Sequence, residues 1–143
     1  MQELPQERLL VGIMGITTAE TAIEKTIQYT KDRIAFGKPI AAFQNTRFKL
    51  AEMATETQIG RIFVDKCVEL HLNKKLDIPT AAMLKFAMTD LQCKVVDECL
   101  QLHGGYGYIW EYWIARAYVD SRVQKIYAGS NEIMKEIVSR AIM

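Results

Sequence analysis

The strongest constraint on this chain is helical. Three long stretches repeat apolar residues every three or four positions, and glycine, proline or a polar turn closes each one. In the first, Leu9, Ile13, Ile16, Ala19, Ile23 and Ile27 follow Pro5, which suits a first helical turn, and the pattern predicts one amphipathic helix to about Ile34. Gly37 and Pro39 break it, because glycine permits the conformation that ends a helix and proline cannot continue the hydrogen-bond ladder. A second helix is expected from near Phe43 to about Leu72, with Ala51, Ala54, Ile59, Ile62, Phe63 and Leu70 on its apolar side. The polar turn Asn73 to Asp77 follows. Pro79 restarts a third helix, whose stripe is Leu84, Met88, Leu91, Val95, Cys99 and Leu102 and whose stop is His103-Gly104-Gly105. An aromatic loop from Tyr106 to Trp113 leads to a shorter helix, about Ile114 to Gln124, and a last one from about Asn131 to Ile142. No strand alternation or internal repeat is visible. Helices near 40 Å long, joined by short turns, pack antiparallel, so the expected fold is all-α: an up-and-down four-helix bundle with an additional C-terminal helix.

Composition excludes several function classes. The chain has the length of one domain, 143 residues, and its 18 basic and 17 acidic residues are interspersed, so no field exists to attract nucleic acid. Half of the residues are hydrophobic, yet no run approaches the ~18 apolar residues of a membrane span. Cys67, Cys93 and Cys99 sit in helical patterns without the paired close spacing of a zinc site, so they read as reduced core thiols in a reducing compartment, with no metal expected. Met1-Gln2-Glu3-Leu4-Pro5 has neither the basic start nor the apolar core of a targeting segment. A start so close to the first helix leaves open that the chain is a piece of a longer protein.

Individually, the candidate functional residues have ordinary explanations. Gly104-Gly105-Tyr106-Gly107 can admit a phosphate to the backbone, but it follows a helix and lacks the strand-then-helix setting of a dinucleotide fingerprint. His71 and His103 each end a helix, where a cation favours the dipole. Trp110 and Trp113 fit a ligand wall or a loop folded over a bundle end. Ala128-Gly129 makes a turn before the last helix, with Ser130 or Asn131 as its N-cap.

In combination they are more specific. Arg33-Ile-Ala-Phe36-Gly37-Lys38-Pro39, Phe43-Gln44, Lys49 to Met53, Gln101 to Tyr108, Asp120 to Arg122 and Ile126 to Ile133 resemble, in order and with family spacing, the carboxy-terminal domain of the acyl-CoA dehydrogenases, closest to long-chain and isovaleryl members. The resemblance covers essentially the whole chain. It implies an FAD enzyme that oxidises an acyl-CoA to a trans-2-enoyl-CoA, and two further domains, an amino-terminal helical one and a middle β-domain, that these 143 residues do not contain. Such a reaction needs a carboxylate against the acidic α-carbon and donors on the thioester oxygen.

Many members carry that carboxylate as a glutamate at the position of Ala128. In long-chain and isovaleryl members the base comes from the first helix, and the matching residue here is Glu7. By itself Glu7 is a first-turn acid that suits the helix dipole. Ala128 would retain its backbone N–H as the oxyanion donor. The resemblance further implies substrate contacts at Arg8, Gly129 and Arg140. It implies FAD contacts at Arg33, Phe36, Gln44, Ser130, Asn131 and Glu132. Gln101, Leu102, His103, Gly104 and Gly105 would reach the FAD of a neighbouring subunit. A homotetramer, an electron-transferring flavoprotein as acceptor, and a mitochondrial matrix or bacterial cytoplasmic location complete the expectation, with no FAD held firmly by this chain alone. The alternatives are a helical self-association module with unused flavin motifs, and a related acyl-CoA oxidase.

Overall fold

Five helices form where the apolar periodicity places them. The computed structural model describes residues 4–143, and in it α1 is Leu4–Asp32, α2 Gln44–Leu72, α3 Ile78–His103, α4 Trp113–Val123 and α5 Asn131–Ile142. Met1 to Glu3, on which the absence of a targeting start partly rests, lie outside the described residues. Local chemistry fixes the helix ends. The Asp77 carboxylate accepts the Thr80 amide at 2.7 Å and Pro79 stands in the first turn of α3, where a missing N–H costs nothing. At the end of α2, Lys75 N–H reaches Leu70 O at 2.7 Å and Lys74 N–H reaches His71 O at 2.9 Å, with Lys74 left-handed at φ 57°. This is the paired bonding of a Schellman stop, made with a lysine where glycine is usual.

The core lies around α3, which packs on α1, α2, α4 and α5. Leu9, Ile16, Val64, Cys67, Leu84 and Met88 fill one end, and Ala19, Ile23, Met53, Val95, Cys99 and Ile114 the other. The α1 and α3 stripes expected from the sequence are thus the buried ones, with Ile13, Ile27, Leu91 and Leu102 half-buried at their margins. Small residues let α1 and α3 approach closely: a Cβ on Gly15 would stand 3.0 Å from Met88 O. All three cysteines are free, with Cys67 and Cys99 buried; burial raises the Cys99 thiol to about 11, where it is inert at neutral pH.

Three expectations need correction. The buried face of α2 is Thr46, Met53, Thr57, Gly60, Val64 and Cys67, whereas Ile59 and Ile62 are 65% and 61% exposed. Apolar identity misleads here because α2 packs through small and polar residues. The break at Gly37 is a minimal antiparallel hairpin, Ile34–Ala35 against Lys38–Pro39, turned by Phe36 and Gly37 at φ 52° and 79°. Two successive left-handed residues are the requirement of a two-residue type I′ turn. The aromatic loop opens with a 3₁₀ turn, Gly104–Tyr108. Among the described residues no helix is long and apolar enough to cross a membrane.

Candidate functional site

The turn between α4 and α5 is unusual in its backbone. After α4 the amides of Ile126 and Tyr127 bond back to Val123 O at 2.9 and 3.2 Å, and then Ala128 and Gly129 take left-handed conformations, φ 55° and 89°. The amides of Ala128, Gly129 and Ser130 make no backbone bond within the described residues. Successive amides in such a turn form a concavity that attracts an anion or a developing oxyanion. Ser130 is the N-cap of α5: its hydroxyl accepts from Ile133 N–H at 3.5 Å. Glu132 folds back beside it, its carboxyl held below the usual range by its own amide and by the Ser130 hydroxyl.

Asn131, expected among the cofactor residues, turns its side chain into the protein instead. Its Oδ1 accepts from Lys85 Nζ at 2.8 Å, and its Nδ2 donates to Thr89 and Asp90, both at 3.0 Å. Lys85 is 0% exposed and also donates to Gly129 O at 2.9 Å. Burial pushes its ammonium below the usual range; Asp90 and Glu132 oppose that shift and the Arg8 charge adds to it. Leu9, next to Arg8, shares a core cluster with Leu84, next to Lys85, so the start of α1 packs on the part of α3 that holds the Ala128 turn. Arg8 is 6% exposed, with a buried Nε that has no partner among the described residues, while its neighbour Glu7 faces solvent. Arg140 is placed apart from this group, in the last turn of α5, exposed and paired with Glu136 at 2.7 Å.

A second locus is a cleft of about 720 Å³ whose walls include Arg33, Gln101, Leu102, His103, Gly104 and Gly105. Arg33 stands over the Tyr106 ring at 5.0 Å. A Cβ added at Gly104 or Gly105 would meet nothing within 4 Å, so the space before this backbone is open. A guanidinium facing bare backbone fits the pyrophosphate region of a dinucleotide cofactor. His103 is buried and stacked on Tyr29 at 4.1 Å, with Nδ1 2.8 Å from Cys99 O. Burial lowers its pKa, so it is a neutral imidazole donating from Nδ1, which corrects its reading as a cation on the helix dipole. Phe36, 96% exposed, and Gln44, at the start of α2, are not among the cleft walls; Phe36 meets Phe43 edge-on at 6.3 Å.

The model of the acyl-CoA dehydrogenase C-terminal domain matches residues 1–143. The chain belongs to the acyl-CoA dehydrogenase family. It is 53% identical over 143 residues to the mouse (Mus musculus) mitochondrial long-chain specific acyl-CoA dehydrogenase, covering 100% of this chain and 33% of that protein. A caffeyl-CoA reductase–Etf complex subunit of Acetobacterium woodii is 36% identical, with 100% of this chain and 38% of that protein covered. Among solved structures, an acyl-CoA dehydrogenase of Geobacillus kaustophilus superimposes with a TM-score of 0.97 at 48% identity, over 99% of this chain and 37% of that one. The chain thus spans about a third of the length of the curated relatives it matches.

Within this dehydrogenase domain, one buried polar group stands apart from the residues that the sequence singles out. Lys85, Thr89 and Gln92 are all buried on α3, at i, i+4 and i+7. That polar stripe runs beside the apolar stripe of Leu84, Met88 and Leu91, and its spacing was the available signal.

Proposed function

We propose that this chain is the flavin- and thioester-facing domain of an FAD-dependent acyl-CoA dehydrogenase acting on long or branched acyl chains, with Glu7 as the base. The observation that carries the proposal is the Ala128–Ser130 turn, which offers backbone donors and holds no carboxylate that could abstract a proton. Glu7, beside buried Arg8 at the start of α1, is the acid that the family resemblance offers in its place. In this reading the Glu7 carboxylate takes the proton from the α-carbon. The Ala128 N–H stabilises the enolate charge on the thioester oxygen, a donor worth ~3 kcal/mol in comparable sites. Gly129, which carries no side chain, lets the thioester approach the backbone, and Arg8 supplies positive charge near it. Arg33 would hold the cofactor pyrophosphate, with Gln44 and Phe36 beside it, and Ser130 and Glu132 at the α5 start would face its ribose. Gln101 to Gly105 wall the same cleft as Arg33, so they would serve the same FAD, one shared with a neighbouring copy. The FAD supplies the acceptor for the β-hydride.

The same-family long-chain enzyme supports the substrate class, and the Etf-complex relative supports an electron-transferring flavoprotein as acceptor. The exposed Ile59 and Ile62 of α2 favour further copies of the chain as partners, consistent with a tetramer. The mitochondrial matrix or bacterial cytoplasm is the corresponding location. The test is anaerobic addition of a long-chain acyl-CoA to the flavin-loaded enzyme that carries this chain. Bleaching of the flavin band is expected, and a flavin that stays oxidised with every acyl-CoA rejects the reading. Rapid oxygen consumption in air would instead identify an oxidase.

A further inference from the structure

Lys85 has no part in the chemistry above, yet it is the largest fully buried side chain of the described residues. A buried ammonium is tolerated only when its protons are well placed. Two of them go to the segment that carries the donor turn, to Gly129 O at 2.9 Å and to Asn131 Oδ1 at 2.8 Å. An ammonium only donates and a carboxylate only accepts, so Lys85 on one side and Asp90 on the other fix which way the Asn131 amide points. Asp90 also pairs with Lys125 at 2.6 Å, and Lys125 O accepts the Asn131 amide at 3.0 Å. Both ends of the segment from 125 to 131 are thereby tied to one helix, α3. On the near side of Ala128 the Tyr127 amide is anchored on Val123 O; on the far side the Gly129 carbonyl is anchored on Lys85. Between them sits an alanine in a left-handed conformation, which persists only where its surroundings enforce it.

We infer that Lys85 is a positioning residue: by holding the Gly129 carbonyl and the Asn131 side chain it fixes the far side of the turn against the Val123 anchor on the near side, and so sets the direction of the Ala128 N–H between them. The link to catalysis rests on the acyl-CoA reading given above; the clamp itself does not. Without Lys85 the Gly129 peptide is free to rotate, the left-handed alanine relaxes, and the donor no longer points where the thioester oxygen would sit.

The experiment compares Lys85→Met with the wild-type flavin-loaded enzyme by two readouts, rapid-mixing flavin reduction by a long-chain acyl-CoA and hydrogen exchange of the peptide covering 126–132. The expected result is a ~10²-fold lower reduction rate, the size of a lost oxyanion donor, with acyl-CoA affinity changed less than about threefold. Exchange in the turn should accelerate at least ~10-fold while the α1 core keeps its protection. A merely structural lysine would lower protection throughout α1 and α3 and leave the rate per folded enzyme unchanged, which overturns the inference. So does an unchanged rate with unchanged exchange. If Lys85→Met does not fold, Asn131→Ala is read in the same way, since it removes one of the two turn-side acceptors and leaves the lysine in place. The two readings fail separately. Exchange that responds in an enzyme with no acyl-CoA activity keeps the clamp and rejects the function, whereas wild-type activity with an indifferent Lys85 does the reverse.

Discussion

Ala128 stands at φ 55° and Gly129 at φ 89°, and the two positions answer differently to substitution. A Cβ on Gly129 would meet Met134 Cε at 2.6 Å in a backbone region that disfavours side chains, so Gly129→Ala is expected to cost ~1–3 kcal/mol in denaturant unfolding. Ala128→Gly removes a left-handed penalty of ~1–2 kcal/mol and pays most of it back in chain entropy, so its stability should stay within about 1 kcal/mol of wild type. A loss above ~2 kcal/mol would mean that the Ala128 methyl is held by packing and not merely tolerated. The sequence made Ala128 conspicuous because a small residue occupies a place where the resembled family often has an acid. The spacing of Lys85 with Thr89 and Gln92 marks a polar stripe, but not whether the lysine head reaches water or the carbonyl of a residue 44 positions away. Glu132, similarly, is legible as a first-turn acid, but its fold-back onto Ser130 and its own amide is visible only in three dimensions.

Long-period patterns carried the helices, and burial on both sides of a pattern carried less. On α1 and α3 the apolar stripe and the buried stripe coincide, because those helices face each other through large aliphatic residues at one end and glycines at the crossing. On α2 they do not: Gly60 and Thr57 face inward while Ile59 and Ile62 face out, so hydrophobicity alone assigned the wrong side. The glycines separate two kinds of close approach. A Cβ on Gly15 meets the carbonyl of Met88, O at 3.0 Å and C at 3.2 Å, and backbone cannot step aside. A Cβ on Gly60 meets only the ends of Ile16, Leu91 and Met88, at 2.9 to 3.1 Å. Gly15→Ala should therefore destabilise by ~1–3 kcal/mol despite a helix-propensity gain of ~1 kcal/mol, and Gly60→Ala should remain within ~1 kcal/mol of neutral. Urea midpoints at constant slope decide the comparison, and the opposite order would refute the packing described for α1 on α3. The hairpin at Phe36–Gly37 shows in the sequence only as a break, since two-residue strands leave no alternation to detect.

Taken whole, the domain presents its two candidate loci on open surfaces. Arg33 and the Gln101–Gly105 run share one cleft, Phe36 projects almost fully into solvent, and Glu7 is exposed at the start of α1. A site that excludes water and encloses charge needs further walls, which in the proposed enzyme come from other domains and other copies of the chain. The purified 143-residue chain is accordingly expected to show no stoichiometric flavin absorption, and a firmly bound flavin would show that its own cleft suffices. The most direct test of the account is the Glu7→Gln variant of the flavin-loaded enzyme, mixed anaerobically with a long-chain acyl-CoA while flavin reduction is followed. The account predicts unchanged acyl-CoA binding and a reduction rate lower by ~10²-fold or more, the usual cost of removing a general base. Reduction within about tenfold of wild type would contradict it and send the search for the base elsewhere.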